Sequence, residues 1–286
     1  MKIAAVAILF NPDHNCLPNI QSYYDAVEKI YVFDNTENSN LIAKNLITLP
    51  KISYHQDGEN KGLSKRLNEA CESAIKDGFD WLLTMDQDSI FFQDSFAKYI
   101  NCFSQYKNKE AVGMFATTNT RIKNVSLEMC DCVEDFGIIT SGTLLSLKAF
   151  KKIGEFDEAL FIDCVDHDYC IRTYLAGYKI IRFTKIFLLH ELGREVYRSS
   201  IKTLFLHKKK KEIHSPLRCY YMFRNIFYLA QKFKKDNPGQ IKQIKKDVFS
   251  RILKAIFYGR NTIEILINIK RGYKDYKEMK MGKFIT

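Results

Sequence analysis

The sequence has little of what most non-globular architectures require. Its 286 residues include five prolines, too few for a proline-rich linker protein. It has no internal repeat at the roughly 20–50-residue period of a solenoid. No uncharged apolar run approaches the roughly 18–20 residues that cross a bilayer. The best N-terminal candidate, Ile3 to Phe10, runs into Asn11-Pro12-Asp13-His14 instead of a small-residue cleavage site. It therefore reads as a buried strand and not as a signal peptide. Eight cysteines occur without a Cys-x-x-Cys pair, and the six histidines complete no zinc-ligand spacing. Cys130-Asp131-Cys132 is a lone Cys-x-Cys. Scattered thiols in a chain without a signal peptide read as reduced, packed and cytoplasmic, with neither a disulfide framework nor a structural zinc.

What is present suits a folded chain of one large domain or two modest ones. With 46% hydrophobic and 27% charged residues, it can bury a sizeable core, which excludes a mainly disordered protein. The net charge of +11 is unevenly spread. Residues 201–286 hold 22 Lys/Arg against 6 Asp/Glu, whereas residues 1–200 hold 22 against 27. The composition therefore predicts a mildly acidic body over 1–200 and a basic, helical C-terminal region over 201–286. Such asymmetry suits an anionic partner for the tail, a membrane surface, a nucleic acid or a phosphorylated lipid; ordinary solvated helix faces are the plainer explanation.

Short apolar runs alternate with helical periods along the body. Ile3–Phe10, Ile30–Phe33, Ile52–His55, Trp81–Met85 and Val112–Thr117 read as strands. Leu63, Leu67, Ala70, Cys71, Ala74 and Ile75 recur at helical spacing up to Gly78, which suits the left-handed residue after a helix end. Gly137–Leu147 reads as strand-like, Lys148–Ile153 as a short helix, and Ile180–Phe183 and Ile186–His190 as two final strands. A helix through Arg172 and Leu175 ends at Gly177. Strand–helix–strand order predicts a mostly parallel α/β sheet, in which ligands bind at the carboxyl ends of strands. The abrupt change near residue 200 and the break at Asp236-Asn237-Pro238-Gly239 separate this body from later helices.

The acids fall at those strand ends. In Asp86-Gln87-Asp88, residues i and i+2 point the same way, so both carboxylates can face one site. A divalent cation would relieve their repulsion, and hard oxygen ligands favour Mg2+ or Mn2+ held jointly with phosphates. An exposed turn is the alternative. Asn60-Lys61-Gly62-Leu63-Ser64 opens a helix whose backbone N–H groups could meet an anion, or form a simple turn. Asp34, closing the second strand, could bind a base or ribose, or cap a turn. Asp163, Asp166 and Asp168 crowd six residues, which should raise at least one pKa toward that of a general base; helix-start acids favoured by the dipole are the alternative. His190 ends a strand as either a packed residue or a third metal ligand.

In this order, over about residues 3–228, these features resemble glycosyltransferase family 2, the inverting nucleotide-sugar enzymes of the GT-A fold. Ile8-Leu9-Phe10-Asn11-Pro12 is similar to the family's first-strand opening, and Val32-Phe33-Asp34-Asn35 to its base-binding second strand. Asn60-Lys61-Gly62 with Asn68 resembles the nucleotide loop, and Asp86-Gln87-Asp88-Ser89 the DxD motif. Ser141-Gly142-Thr143 through Gly154-Glu155-Phe156-Asp157-Glu158, then Asp166-His167-Asp168-Tyr169-Cys170-Ile171-Arg172, resembles the acceptor-side block, with Asp163 beside it. Val165 stands where the family often has Glu, as in its rhamnosyltransferase branch. Asp-Gln-Asp-Ser and the segment Arg218 to Asn225 point to the same branch, and His190 in His-Glu-Leu-Gly matches the late metal-ligand histidine.

The resemblance implies a Rossmann-like GT-A sheet flanked by helices. It implies a single displacement with inversion, in which Asp86, Asp88 and His190 hold Mg2+ or Mn2+ on the donor diphosphate. Asp166 would take the acceptor hydroxyl's proton. Asn11, Asp34, Asn60, Gly62, Asn68 and Asp86 would line the donor nucleotide; Ser141, Gly142, Asp163, Asp168 and Arg172 would support the acceptor side, with a structural ion pair as the alternative for Arg172. The implied donor is dTDP-L-rhamnose and the implied acceptor a bacterial surface glycan, with UDP-galactose, UDP-galactofuranose or UDP-glucose as alternative donors. A nucleotidyltransferase would carry a Gly-rich basic loop near the first strand, which Ile8–His14 lacks. A nonenzymatic RNA- or membrane-binding protein would leave the acids at the strand ends unexplained, so nucleic acid is not expected as a partner. Ile241, Ile244, Val248, Ile252, Ile256, Ile263 and Leu266 recur at three to four beside lysines. That stripe predicts either peripheral binding to the inner face of the cytoplasmic membrane, near a lipid-linked acceptor, or packing on the body or a second subunit.

Overall fold

The structure, a computed structural model, describes residues 1–38, 46–121, 125–190, 194–198 and 209–285. The chain divides into two compact units, one of residues 1–158 and 165–191, the other of residues 159–164 and 192–286. The second unit thus includes a six-residue loop from within the expected body.

The first unit is built on a nine-stranded sheet. Its first half is parallel, in the order β3 (Ile52–Gln56), β2 (Lys29–Asp34), β1 (Ile3–Leu9), β4 (Trp81–Asp86). The sequence of β1 is a continuous apolar run because both faces of the strand are covered. Beyond β4 the directions mix. The strands β8 (Thr143–Ser146), β6 (Val112–Thr120), β9 (Lys179–His190) and β5 (Ser89–Phe91) follow in that order, and β7 (Cys132–Glu134) also pairs with β9. The β6–β9 pair is parallel, whereas β4–β8, β6–β8 and β5–β9 are antiparallel. Two expected strands are here one: β9 runs through residues 184–185. A register shift against β6, from Ala116↔Arg182 to Thr118↔Phe187, absorbs the extra residues and explains why the halves read separately. The stretch from 137 is strand only from Thr143 on, because Gly142 turns the chain with a φ of 73°.

Helices α1 (Cys16–Tyr24), α2 (Gly62–Lys76), α3 (Ser95–Gln105), α4 (Leu147–Ile153) and α5 (Val165–Leu175) accompany the sheet. α2 buries Leu67, Ala70, Cys71 and Ala74 at the expected spacing. Its end is closed by Gly78 at φ 78°, whose N–H donates to Ile75 O, while the Phe79 N–H donates to Ala74 O. α3 contributes Phe96, Tyr99 and Phe103 to a core with Trp81, Phe115 and Phe183. Cys102 of α3 and Cys130 form a disulfide, correcting the expectation that the thiols are all reduced. Sequence spacing gave no sign of it: the fold brings Cα atoms 28 positions apart to 5.1 Å, Cys130 lying just before β7.

In the second unit, β10 (Arg194–Arg198) pairs antiparallel with β11 (Lys209–Ile213), and three helices follow: α6 (Pro216–Lys232), α7 (Pro238–Tyr258) and α8 (Thr262–Lys277). Ser215 caps α6 by accepting the Arg218 N–H at 3.2 Å, and Pro216 takes the first helical position. α8 approaches α6 closely at Gly272, where a Cβ would stand 2.8 Å from Tyr220 O. The expected amphipathic stripe does not face outward as a whole: Ile241, Ile244, Val248 and Ile252 are buried, with α7 packed on α6 and β11. Ile263 and Leu266 are exposed. Among the described residues, no helix is long and apolar enough to cross a membrane.

Candidate active site

The parallel strands deliver their carboxyl ends to one region of the first unit. Asp86 is the last residue of β4, Asp88 follows on the turn, and Ser89 begins β5. Antiparallel pairing then sets Ser89 opposite His190, 101 positions away in sequence. Ligand atoms of Asp86, Asp88 and His190 all lie within 4.8 Å of one another. His190 Nδ1 is 3.3 Å from Asp88 Oδ1, and Nε2 is 3.9 Å from Asp86 Oδ2. The imidazole is buried while both carboxylates are partly exposed. Two hard carboxylates and one imidazole form a donor set that fits a divalent cation while leaving positions open to phosphate oxygens or water.

Electrostatics support that fit. Burial disfavours the imidazolium, but the hydrogen bond to Asp88 and the carboxylates of Asp86, Asp88 and Asp166 outweigh it. The His190 pKa is held above its ordinary value. A pocket that attracts a proton this way is cation-seeking, and Asp166 is among the groups that make it so.

Two serines hold the cluster. The Asp86 N–H donates to Ser141 Oγ at 3.1 Å, Ser141 donates to Ser89 Oγ at 2.7 Å, and Ser89 Oγ lies 2.5 Å from His190 Nδ1. Ser89 and Ser141 are buried. The next residue, Gly142, admits no side chain: a Cβ there would lie 2.6 Å from both Leu188 Cδ2 and Thr117 Oγ1. Gln87, between the two acids, anchors the turn to the end of β1. It accepts the Phe10 N–H at 2.8 Å, donates to Phe10 O at 3.1 Å, and its own carbonyl accepts from Asn19 at 2.7 Å.

The acids of residues 163–168 have different partners. Asp168 is buried in the first turns of α5 and accepts from Arg172 Nε at 2.7 Å, one helical turn on; Arg172 also donates to Ile153 O. That is the structural ion-pair alternative for Arg172. Asp163 belongs to the second unit, where Arg218 grips it with two bonds of 2.9 and 2.8 Å. Two of the three carboxylates thus have their own arginines. Asp166, in the first turn of α5, is the member whose charge reaches His190.

On the nucleotide side, Asp34 is wholly buried. Its Oδ1 accepts the Thr36 N–H at 2.8 Å and its Oδ2 accepts the Tyr54 hydroxyl at 2.7 Å. Asn11, at φ 46° just past β1, donates its N–H to Thr36 Oγ1 at 2.8 Å. Asn60 Oδ1 accepts the Gly62 N–H at 3.0 Å, an Asx turn that starts α2 with Gly62 at φ 81°. Ser64, in the first turn of α2, is buried, and its hydroxyl has no partner among the described residues. Asn68 sits on the buried face of α2, with Oδ1 accepting the Phe156 N–H at 2.7 Å and Nδ2 donating to Phe156 O and Glu158 Oε1 at 3.0 Å. Its amide clamps residues 156–158.

Residues 14–153 match glycosyl transferase family 2. The chain carries a family 2 glycosyltransferase domain. It is 27% identical over 287 aligned residues, covering 93% of this chain and 92% of the other, to a Shigella flexneri protein named dTDP-rhamnosyl transferase RfbF. In fold it is similar to S. aureus TarS: 14% identity, a TM-score of 0.53 and 91% of this chain matched, spanning 44% of that longer chain. A shorter TarS structure, residues 1–349 in complex with UDP-GlcNAc, gives 12% identity and a TM-score of 0.51, with 98% and 92% of the two chains covered. At such identities the likeness extends to the fold alone, a mixed α/β sheet with flanking helices.

Several contacts in the two units were not legible in the sequence. Asn35 ties β2 to the α2 loop: its Oδ1 accepts the Lys61 N–H and Arg66 Nε, and its Nδ2 donates to Gly62 O. Buried Arg66 also binds Asp57 and Glu69, and its guanidinium, with Lys61 assisting, holds the Asp57 carboxyl well below the usual carboxylate range. The run Asn35-Thr36 after a strand was the available signal. In the second unit, Phe161, Asp163 and Cys164 have φ between 60° and 66°, a region strained for such side chains. Asn225 holds that loop by donating to Leu160 O, Ile162 O and Asp163 O at 2.8–2.9 Å. Glu191, Leu192 and Gly193 after His190, and Lys208 of the basic run, lie outside the described residues.

Proposed function

We propose that this enzyme is an inverting, metal-dependent transferase that moves L-rhamnose from dTDP-rhamnose to a saccharide acceptor in bacterial surface polysaccharide synthesis. The observation that carries the reading is the Asp86, Asp88 and His190 cluster with Asp166 close enough to raise the His190 pKa. Asp86, Asp88 and His190 would hold Mg2+ or Mn2+, which supplies charge neutralisation for the departing nucleoside diphosphate. Asp166 accepts the proton of the acceptor hydroxyl as that oxygen attacks the anomeric carbon from the face opposite the diphosphate. The C–O bond to the diphosphate breaks as the new glycosidic bond forms, so configuration inverts. Asn11, Thr36, Tyr54, Asn60 and Gly62 surround the strand ends where the nucleotide would lie, with Asp34 fixing Thr36 and Tyr54. Ser141, Gly142 and Asp168 support this machinery.

The similarity to a protein named as a dTDP-rhamnosyl transferase favours this donor over UDP-galactose, UDP-galactofuranose or UDP-glucose. A lipid-linked acceptor would bring the enzyme to the inner face of the cytoplasmic membrane. The test measures nucleoside diphosphate release from a donor panel, with Mn2+, Mg2+ or EDTA. Release specific to dTDP-rhamnose, abolished by EDTA and reduced at least about 100-fold in Asp166→Asn without loss of donor binding, supports the reading. Full turnover in EDTA, or near-normal turnover by Asp166→Asn, refutes the assigned roles.

A further inference from the structure

The second unit leaves apolar surface exposed where α7 turns into α8. The buried sides of these helices meet a common core: Ala255 of α7 and Ile265 of α8 pack with Cys219 of α6. Their opposite sides therefore both turn away from α6. On α7 the outward side carries Leu253 and Phe257, four residues apart, which line a shallow concavity of about 620 Å3 with Lys246, Lys254 and the edge of Phe249, whose ring packs on Phe223 and Phe227 of α6. On α8 the outward side begins with Ile263, Leu266 and Ile267. Phe257 is 74% exposed and Ile263 76%, on either side of the Gly259–Asn261 turn.

This surface shares Ile263 and Leu266 with the stripe legible in the sequence, whose members Ile241, Ile244, Val248 and Ile252 are buried. Its charge is also directional. Lys246, Arg251, Lys254, Arg260 and Lys270 outnumber Asp247 and Glu264 along residues 246–270, within a region whose balance is +16. At about 1.5 Å per residue, Leu253 and Ile267 each stand about 8 Å from the turn along their helices. That matches the roughly 5–10 Å to which amphipathic helices sink into a bilayer interface. Lysine stems can lie along the apolar groups while their ammonium heads reach lipid phosphates.

We infer that the α7–α8 turn is a membrane-docking tip, with Leu253, Phe257, Ile263 and Ile267 inserting into the headgroup boundary of an anionic bilayer and the surrounding Lys and Arg residues binding its phosphates. The inference stands apart from the sugar chemistry, since docking needs neither donor nor acceptor.

The test is co-sedimentation of the full chain, without nucleotide sugar, with vesicles of phosphatidylcholine alone or with about a third phosphatidylglycerol. Binding should favour the anionic vesicles and weaken at high salt. The double variant Phe257→Asp/Ile263→Asp should lose at least about tenfold in vesicle partition while keeping the wild-type melting profile and donor-dependent diphosphate release. Lys246→Ser/Lys254→Ser, which keeps the apolar groups, should flatten the salt dependence. Equal binding to both vesicle types, no binding, or an unaltered double variant would each overturn the inference. So would a self-associating wild type whose dimer the double variant disrupts, because a second copy would then be the occupant.

Discussion

Removing one buried hydroxyl should weaken the cation site and the fold separately and by similar amounts. Ser89 Oγ accepts from Ser141 and lies 2.5 Å from His190 Nδ1. In Ser89→Ala the imidazole keeps its neighbour Asp88 at 3.3 Å but loses the contact that fixes the ring's orientation. Loss of such an outer partner typically costs about 10–100-fold in metal affinity, or about 1.4–2.7 kcal/mol. The stability cost is comparable: about two hydrogen bonds at roughly 1 kcal/mol each, with almost no cavity. For a unit of this size that corresponds to a melting-temperature fall of about 4–8 °C. Mn2+ titration followed by electron paramagnetic resonance gives the affinity, and thermal melting in EDTA gives the stability separately. His190→Ala sets the scale for complete loss of the ligand. A Ser89→Ala protein that binds Mn2+ within twofold of wild type would refute the positioning argument.

Other expectations follow from single contacts. Gly142→Ala combines a positive φ with two 2.6 Å encounters, and should destabilise by about 2–5 kcal/mol in urea denaturation; a loss under 1 kcal/mol would mean that Leu188 and Thr117 give way freely. Asn68→Ala leaves the buried Phe156 N–H unsatisfied and should cost about 2–4 kcal/mol in the same assay, while donor affinity measured on the folded protein stays near wild type. Asp57 is an acid whose folded pKa is depressed, first by its hydrogen bond to Arg66, so its stabilisation is complete above the unfolded carboxylate pKa and fades as pH falls through the folded value. The stability gap between wild type and Asp57→Asn should therefore hold from pH 7 to about 4 and narrow below; a gap that widens in acid would contradict the sign.

Local chemistry alone determined much of this protein. The apolar run of β1 and the spacing from Leu67 to Ala74 ending at Gly78 have short-range causes: two covered faces of a strand, one covered face of a helix, and a residue that tolerates positive φ. Asp86 and Asp88 could be read as neighbours because alternate residues at a strand end share a side. What joins them to His190 is the β5–β9 ladder, a pairing of residues 101 positions apart that no local period encodes. Asp163 and Asp168 stand close in sequence, but their partners, Arg218, 55 residues on, and Arg172, are supplied in space. Likewise a period of three to four shows that α7 has an apolar side, not which neighbour covers it. Packing on α6 and β11 buried Ile241 to Ile252 and left Leu253, Phe257 and Ile263 outside, because burial is a property of the neighbours that a helix meets and not of the helix itself.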